Sequence, residues 1–207
     1  MREFGKGIAM KKGEQRKQEL LKIAYDLFLS EGYENTSVDT IIEKAGIAKG
    51  TYYYYFESKE AMLEEVCMMM IDGETEKAMQ IVNADIPIPQ KIIGIISSFR
   101  PEQKEKTITD TLNSSENILM HDKVNKRIIE VVAPILTKVA EQGIEEGVLS
   151  CDNVYERVRM LLIVSNSLFD DYKVTERDVD VFIDMIEKLL GAKPGTMDII
   201  KQLINGK

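Results

Sequence analysis

Residues 36–60 read "TSVDTIIEKAGIAKGTYYYYFESKE", and their punctuation predicts two short helices held apart by a glycine turn. Val38, Ile41, Ile42 and Ala45 recur at helical spacing and form the inner face of the first. Thr36 followed by Asp39 matches a capping box, with Ser37 as the competing N-cap. Gly46 ends that helix, since glycine enters the left-handed region cheaply. The second must begin almost at once, near Ala48, and run through Phe56. Ser58 then caps a long helix reaching to about Val82. Upstream, Leu20, Ile23, Ala24, Leu27 and Phe28 make an amphipathic helix over about 15–30 that Gly32 stops. A helix followed by two short helices around a tight turn has the shape of a helix-turn-helix. Three core helices of an unrelated bundle would show the same periodicity, which by itself decides no function.

The aromatic row breaks that tie. At about 100° per residue, Tyr52 and Phe56 share one face with Ala48 nearby, while Thr51, Tyr54 and Tyr55 lie opposite and Gly50 and Tyr53 fall on the flank. One face cannot bury five rings. An outer face of hydroxylated aromatics and threonine, opened by Lys49, suits a polar partner. Tyrosine rings pack on sugar and thymine methyl groups while their hydroxyls reach phosphate oxygens. Threonine contacts base edges or the thymine methyl, lysine neutralises phosphate, and glycine admits the backbone to close range. The helix start adds N–H donors that favour an anion.

Outward from this stretch, the charge is uneven. The chain of 207 residues carries a formal charge of −8. Ten basic and ten acidic residues cancel over 1–60, whereas the first 22 hold seven basic and three acidic ones. A basic head and an acidic remainder allow a nucleic-acid partner, although solvated charge explains most such asymmetries. No run of about 18 uncharged apolar residues exists, so no membrane association is expected, and the N-terminus has no apolar signal region. Two cysteines, Cys67 and Cys151, form no disulfide framework, and together these features fit the cytoplasm. The expected class is all-α. Helices are expected over about 90–99, 103–119, 122–146 with a kink or a stop at Pro134, 154–172, 176–190 and, shorter, 197–204.

"LLKIAYDLFLSEGYENTSVDTIIEKAGIAKGTYYYYFESKEAML" (20–63) resembles the DNA-binding domain of the TetR family of transcriptional regulators. The family's pattern runs in order through Ala24, Leu27, Phe28, Gly32, Tyr33, Thr36, Ser37, Ile41, Ala45, Gly46, Lys49, Gly50, Thr51, Tyr53, Phe56, Ser58 and Lys59. The resemblance implies an N-terminal three-helix DNA-binding domain over 1–58, with 1–13 a flexible basic arm. It also implies a helical ligand-binding and dimerisation domain over 59–207, in an Ω-shaped homodimer on a palindromic double-stranded operator. Thr36 and Ser37 would meet phosphates; Lys49, Gly50, Thr51, Tyr53, Tyr54 and Tyr55 would lie in or beside the major groove; Lys59 would hold phosphate. Tyr52 stands where relatives have an apolar residue and is read as core. Ala48 often corresponds to Ser, so one cap worth about 1 kcal/mol is missing here.

The resemblance further implies a small-molecule effector bound in the C-terminal domain. The methionine-rich stretch "VCMMMIDG" (66–73) suggests a malleable apolar pocket, for which Cys67, Met70, Met120 and Phe99 are the candidates, although methionine is also ordinary core filler. An acidic body would suit a cation. A soft-metal sensor built from Cys67, the methionines and His121 lacks ligand spacing, so no metal and no cofactor is expected. With a single histidine and no nucleotide-binding loop, no catalytic constellation is legible and the chain is not expected to be an enzyme. The broad apolar faces of 159–169 and 181–190 are expected to form the dimer interface. A repressor released by its effector is the leading reading. A DNA-bound structural or chromosome-organising protein with the same heads but no effector is the alternative; a closed, solid body would favour it, and an enclosed apolar cavity of roughly 300–1,000 Å³ would favour the regulator.

Overall fold

The computed structural model describes residues 12–171 and 174–201, so residues 1–11 of the expected arm and the tail of the tenth expected helix lie outside the described residues, while Lys12 and Gly13, expected in the arm, belong to the first helix. Among the described residues every regular element is helical. They are α1 (Lys12–Glu31), α2 (Val38–Ala45), α3 (Lys49–Tyr55), α4 (Lys59–Val82), α5 (Ile88–Ser98), α6 (Lys106–Leu112), α7 (Ile118–Glu145), α8 (Val154–Asp171) and α9 (Glu176–Leu190). Short 3-10 turns occupy Gln103–Glu105, Ser115–Asn117 and Asp198–Ile200.

The chain divides into two compact units. One takes the residues up to 69 together with 102–118; the other takes 70–101 and everything from 119 onward. This division differs from the boundary expected between 58 and 59. The first part of α4 folds with the N-terminal helices, and so does α6, which packs on α1. Tyr25 donates its hydroxyl to Glu105 at 2.7 Å, and Thr107 donates to the Phe28 carbonyl at 3.2 Å.

In the first unit, α1 buries Leu20, Leu21, Ala24, Leu27 and Phe28, the stripe its spacing predicts. Ile41, Tyr52, Phe56, Met62, Leu63 and Val66 are buried with them. Each large side chain removed from water contributes about 1.5–3 kcal/mol against the entropy of ordering the chain. Lys17 joins α1 to α4 through Glu65 at 2.7 Å.

In the second unit α5, α7, α8, α9 and the end of α4 surround one apolar core that includes Ile92, Ile95, Val132, Leu136, Val139, Phe182, Ile186 and Leu190. Two buried charged groups close helix and loop ends within it. Lys91 donates to the Val82 carbonyl at 3.0 Å and to Gln142 Oε1 at 2.9 Å, capping the C-terminus of α4. Glu187 accepts the Met197 N–H at 2.9 Å. Gly191 ends α9 in the left-handed region, at φ 66°, and a side chain there would also run into the Ser150 carbonyl.

One helix expectation needs correction, and one of two alternatives falls away. The single helix expected over 103–119 is interrupted: α6 stops at Leu112 and α7 begins at Ile118, earlier than expected. Within "TLNSSEN", Asn117 donates its amide to the Thr111 carbonyl at 2.9 Å and to Ser114 Oγ at 3.1 Å, so side chains take over the backbone's acceptor. Pro134 does not end α7. Pro134 and Glu130, whose carbonyl loses its helical donor, are both exposed, which leaves that carbonyl to water.

Candidate functional site

The helix-turn-helix is built as its glycine predicts. Gly46 takes φ 61°, its N–H reaches back to the Glu43 carbonyl, and the Ile47 N–H reaches the Ile42 carbonyl at 3.2 Å. Ser37, not Thr36, caps α2, accepting from the Thr40 N–H at 3.0 Å, and its hydroxyl is exposed beside that of Thr40. Thr36 is fully buried and donates to the Gly32 carbonyl at 2.8 Å. Its side chain therefore staples the turn after α1 and has no free face for phosphate, contrary to the expectation. Ala48 caps α3 with backbone alone, as the missing hydroxyl implies.

On α3 the four tyrosines part company. Tyr52 is fully buried, and its hydroxyl donates to the Ser58 carbonyl at 3.2 Å. Burial first, then Tyr53 and Glu60, pushes its pKa up to about 12, so it stays a neutral donor. Phe56 lies beside it, ring centroids 5.7 Å apart. Tyr54 is the most exposed, at 81%, and Tyr53 follows at 47%. Tyr55 was expected outside with Tyr54, but it is half-buried, its ring turned edge-on to Tyr54 at 4.9 Å and tilted against Phe56 at 6.3 Å. In so short a helix, the last residue leans on the aromatic that ends it.

Lys49 and Gly50 are exposed and Thr51 is half-exposed. Lys49 pairs with Asp39 of α2 at 3.0 Å, and that hydrogen bond raises its pKa. Lys59 is half-buried. It donates to the Tyr33 carbonyl at 2.9 Å, and its ammonium stands 4.0 Å from the centre of the Tyr33 ring. It thus fixes the start of α4 while two of its three N–H donors are not used by that carbonyl.

The second unit holds a cavity of about 350 Å³ lined by α5, the segment after it, α7, α8 and α9. Ile92, Ile96, Phe99, Val132, Leu161 and Phe182 typify its walls. Of the expected pocket residues only Phe99 lines it; Cys67, Met70 and Met120 do not. Cys67 belongs to the other compact unit, and burial pushes its thiol up to about 12. Among the described residues no methionine is in the lining, because the run at 68–70 sits on α4 and the walls come from other helices. Sequence reasoning missed Arg100, Asn125, Ser165 and Asn166, the polar members of the lining. The signal was present in "LLIVSNSLF" (161–169), where Ser165, Asn166 and Ser167 interrupt an apolar run. Among the described residues no group of three His, Cys, Asp or Glu side chains is placed to hold a metal ion. No helix among them is long and apolar enough to cross a membrane.

Known proteins share this arrangement. The sequence profile of bacterial regulatory proteins of the tetR family matches residues 20–66, and that of the tetracyclin repressor-like C-terminal domain matches 95–186. The chain is 35% identical over 85 residues to the HTH-type transcriptional repressor KstR2 of Mycolicibacterium smegmatis, covering 41% of this chain and 42% of that protein. It is 22% identical over 159 residues to the HTH-type transcriptional regulator YhgD of Bacillus subtilis, covering 75% and 83%. The fold is similar to that of RolR in complex with the ligand resorcinol, with a TM-score of 0.64 at 16% identity over 91% of this chain and 94% of that one. With one profile on the helix-turn-helix and the other on the cavity-bearing helices, the chain belongs to the TetR family of bacterial regulatory proteins.

Proposed function

We propose that this chain is a transcriptional repressor that binds a palindromic operator as a homodimer and leaves it when a small, largely apolar effector enters the cavity of the second unit. The observation that carries the DNA half is the split of the tyrosine row. Tyr52 anchors α3 from within, while Tyr53 and Tyr54 present hydroxyl-tipped rings to solvent beside Lys49, Gly50 and Thr51. Such a face offers phosphate contacts for position and base contacts for sequence. Ser37 and Lys59 supply further phosphate contacts, and Tyr55 acts at the edge of the face. Thr36 is not in this set.

The homodimer is supported by α8. Met160, Ile163 and Val164 are 42–53% exposed on one side of it, and Val181 of α9 is 61% exposed. Spacings of three and four place the α8 residues in a single stripe suited to a second copy. The effector half is supported by the cavity and by chain continuity. Phe99, Arg100 and Pro101 line the cavity, and the next residues form the turn whose Glu105 holds Tyr25 of α1. A shift of that segment on ligand binding would reach the DNA-binding unit along the backbone. A coupling of about 1–3 kcal/mol suffices for regulation. A DNA-organising protein needs no such cavity, and its presence favours the regulator.

Binding to the DNA beside the protein's own gene, measured at two salt concentrations, tests the reading. Tyr54→Ala and Thr51→Ala should lower affinity for the operator and relax base preference. Lys59→Ala should weaken all sequences alike and reduce the salt slope by about one unit. Operator binding unaffected by all three would refute the DNA interface. An operator complex that no cavity-binding compound dissociates would refute the effector half.

A further inference from the structure

One lining residue is chemically out of place. Asn166 of α8 lies in the cavity wall, and its Nδ2 is buried with no hydrogen-bond partner among the described residues. Buried amide donors are almost always paired, because leaving one unpaired forfeits its hydration without return. Around it the wall is apolar, with Leu162 and Phe169 on the same helix and Phe182 on α9, whose ring meets that of Phe169 edge-on at 5.7 Å. Among the described residues the lining contains no carboxylate, and Arg100 is its only charged member. The net negative charge of the chain, which suggested a cationic ligand, is thus absent from the described part of the lining.

We propose that the cavity takes an uncharged or anionic molecule with an apolar, ring-containing body and one acceptor oxygen, a carbonyl or carboxylate, that receives the hydrogen bond of Asn166 Nδ2. This rests on the effector reading above and narrows it to a ligand class. A cavity of about 350 Å³ has room for a two-ring compound. Phenylalanine edges and faces in the wall suit an aromatic body. A cation would find no carboxylate among the described lining residues to replace its hydration. A pure hydrocarbon of the same shape would fill the space but leave Asn166 unpaired. Specificity against it follows from the buried donor, in the way a site built to hydrogen-bond a group rejects the analogue lacking it.

Four naphthalenes of equal size test this by fluorescence titration of the full-length protein without DNA: 2-acetylnaphthalene, 2-naphthoate, 2-isopropylnaphthalene and 1-(2-naphthyl)ethylammonium. The ketone and the carboxylate should bind about tenfold or more tighter than the hydrocarbon, the scale of one good hydrogen bond, and the ammonium should bind weakest. Asn166→Leu should remove the advantage of the ketone over the hydrocarbon while keeping the hydrocarbon bound. Asn166→Asp, which replaces the donor by an acceptor, should move preference from ketone to ammonium. A hydrocarbon or ammonium bound as tightly as the ketone, a ketone preference that survives Asn166→Leu, or no binding of any of the four overturns the assignment. The same compounds added to the operator complex report on the function separately. The expected ranking without release of DNA keeps the ligand class and defeats the effector role.

Discussion

Helices α3 and α8 both carry more apolar surface than one face can bury, and they dispose of the surplus in opposite ways. In α3 the inner residue is Tyr52 and the outer ones are Tyr53 and Tyr54, so what reaches solvent ends in a hydroxyl. In α8 the inner side lines the cavity through Leu161, Leu162 and Asn166, while Met160, Ile163 and Val164 face out with no polar tip at all. An outward face that keeps hydrogen-bonding capacity suits a partner that is itself polar and wet; one that keeps none suits a partner that is apolar and dry. The two helices also invert each other's interior. Tyr52 spends its hydroxyl on Ser58, whereas the Asn166 amide is left unspent.

The largest effect that would sharpen this contrast is within the tyrosine row. Tyr52→Ala should cost about 3–5 kcal/mol of stability in denaturant unfolding, by cavity formation and loss of the Ser58 bond, whereas Tyr54→Ala should stay within about 0.5 kcal/mol. Comparable losses from both would break the inside–outside assignment. Next, Val164→Asp should weaken self-association more than a hundredfold, about 2.7 kcal/mol, in sedimentation equilibrium while the folded chain persists. A dimer indifferent to that charge would place the interface elsewhere. Asn166→Leu should stabilise the ligand-free protein by about 1–2 kcal/mol, because it removes the unpaired donor, and a thermal melt reads this directly. Ala48→Ser should add about 1 kcal/mol by supplying the cap that α3 lacks. Smallest in energy is a difference in reactivity. With its pKa pushed up to about 12 by burial, Cys67 stays protonated up to that pH while folded, so alkylation at mildly alkaline pH should modify Cys151 and spare Cys67 until the chain unfolds. Mass spectrometry of the alkylated chain checks it.

The DNA-binding half was legible because its determinants are local. Gly46, Ser58 and the spacing of Leu20, Ala24, Leu27 and Phe28 act within a turn or two of chain, and five adjacent aromatics cannot share one face whatever surrounds them. Thr36 escaped that logic: beside Ser37 it reads as a cap, and only the fold reveals that its hydroxyl is swallowed by the turn after Gly32. Tyr55 escaped it too, because a helical wheel does not know that α3 ends at once against Phe56. The cavity was not legible. Its walls come from four helices separated by up to a hundred or so positions, and a void is a property of how faces fail to meet. Methionine abundance pointed to α4, whereas the informative residues were Ser165 and Asn166, part of a three-residue polar break in the apolar run 161–169.

The packing of α6 against α1 has a consequence for taking the molecule apart. The DNA-binding unit is discontinuous: its second piece, residues 102–118, is an excursion of the chain between two segments of the other unit. A fragment ending near residue 69 would lose the Glu105 acceptor of Tyr25 and the Thr107 donor to the Phe28 carbonyl, and it would uncover the side of α1 on which α6 lies. Exchange of DNA specificity with a relative by a single crossover would therefore join an α1 shaped for one α6 to the α6 of another. A chimaera that recruits a new operator and still folds well must transplant both pieces together, or adapt Tyr25 and Phe28 to the α6 it inherits.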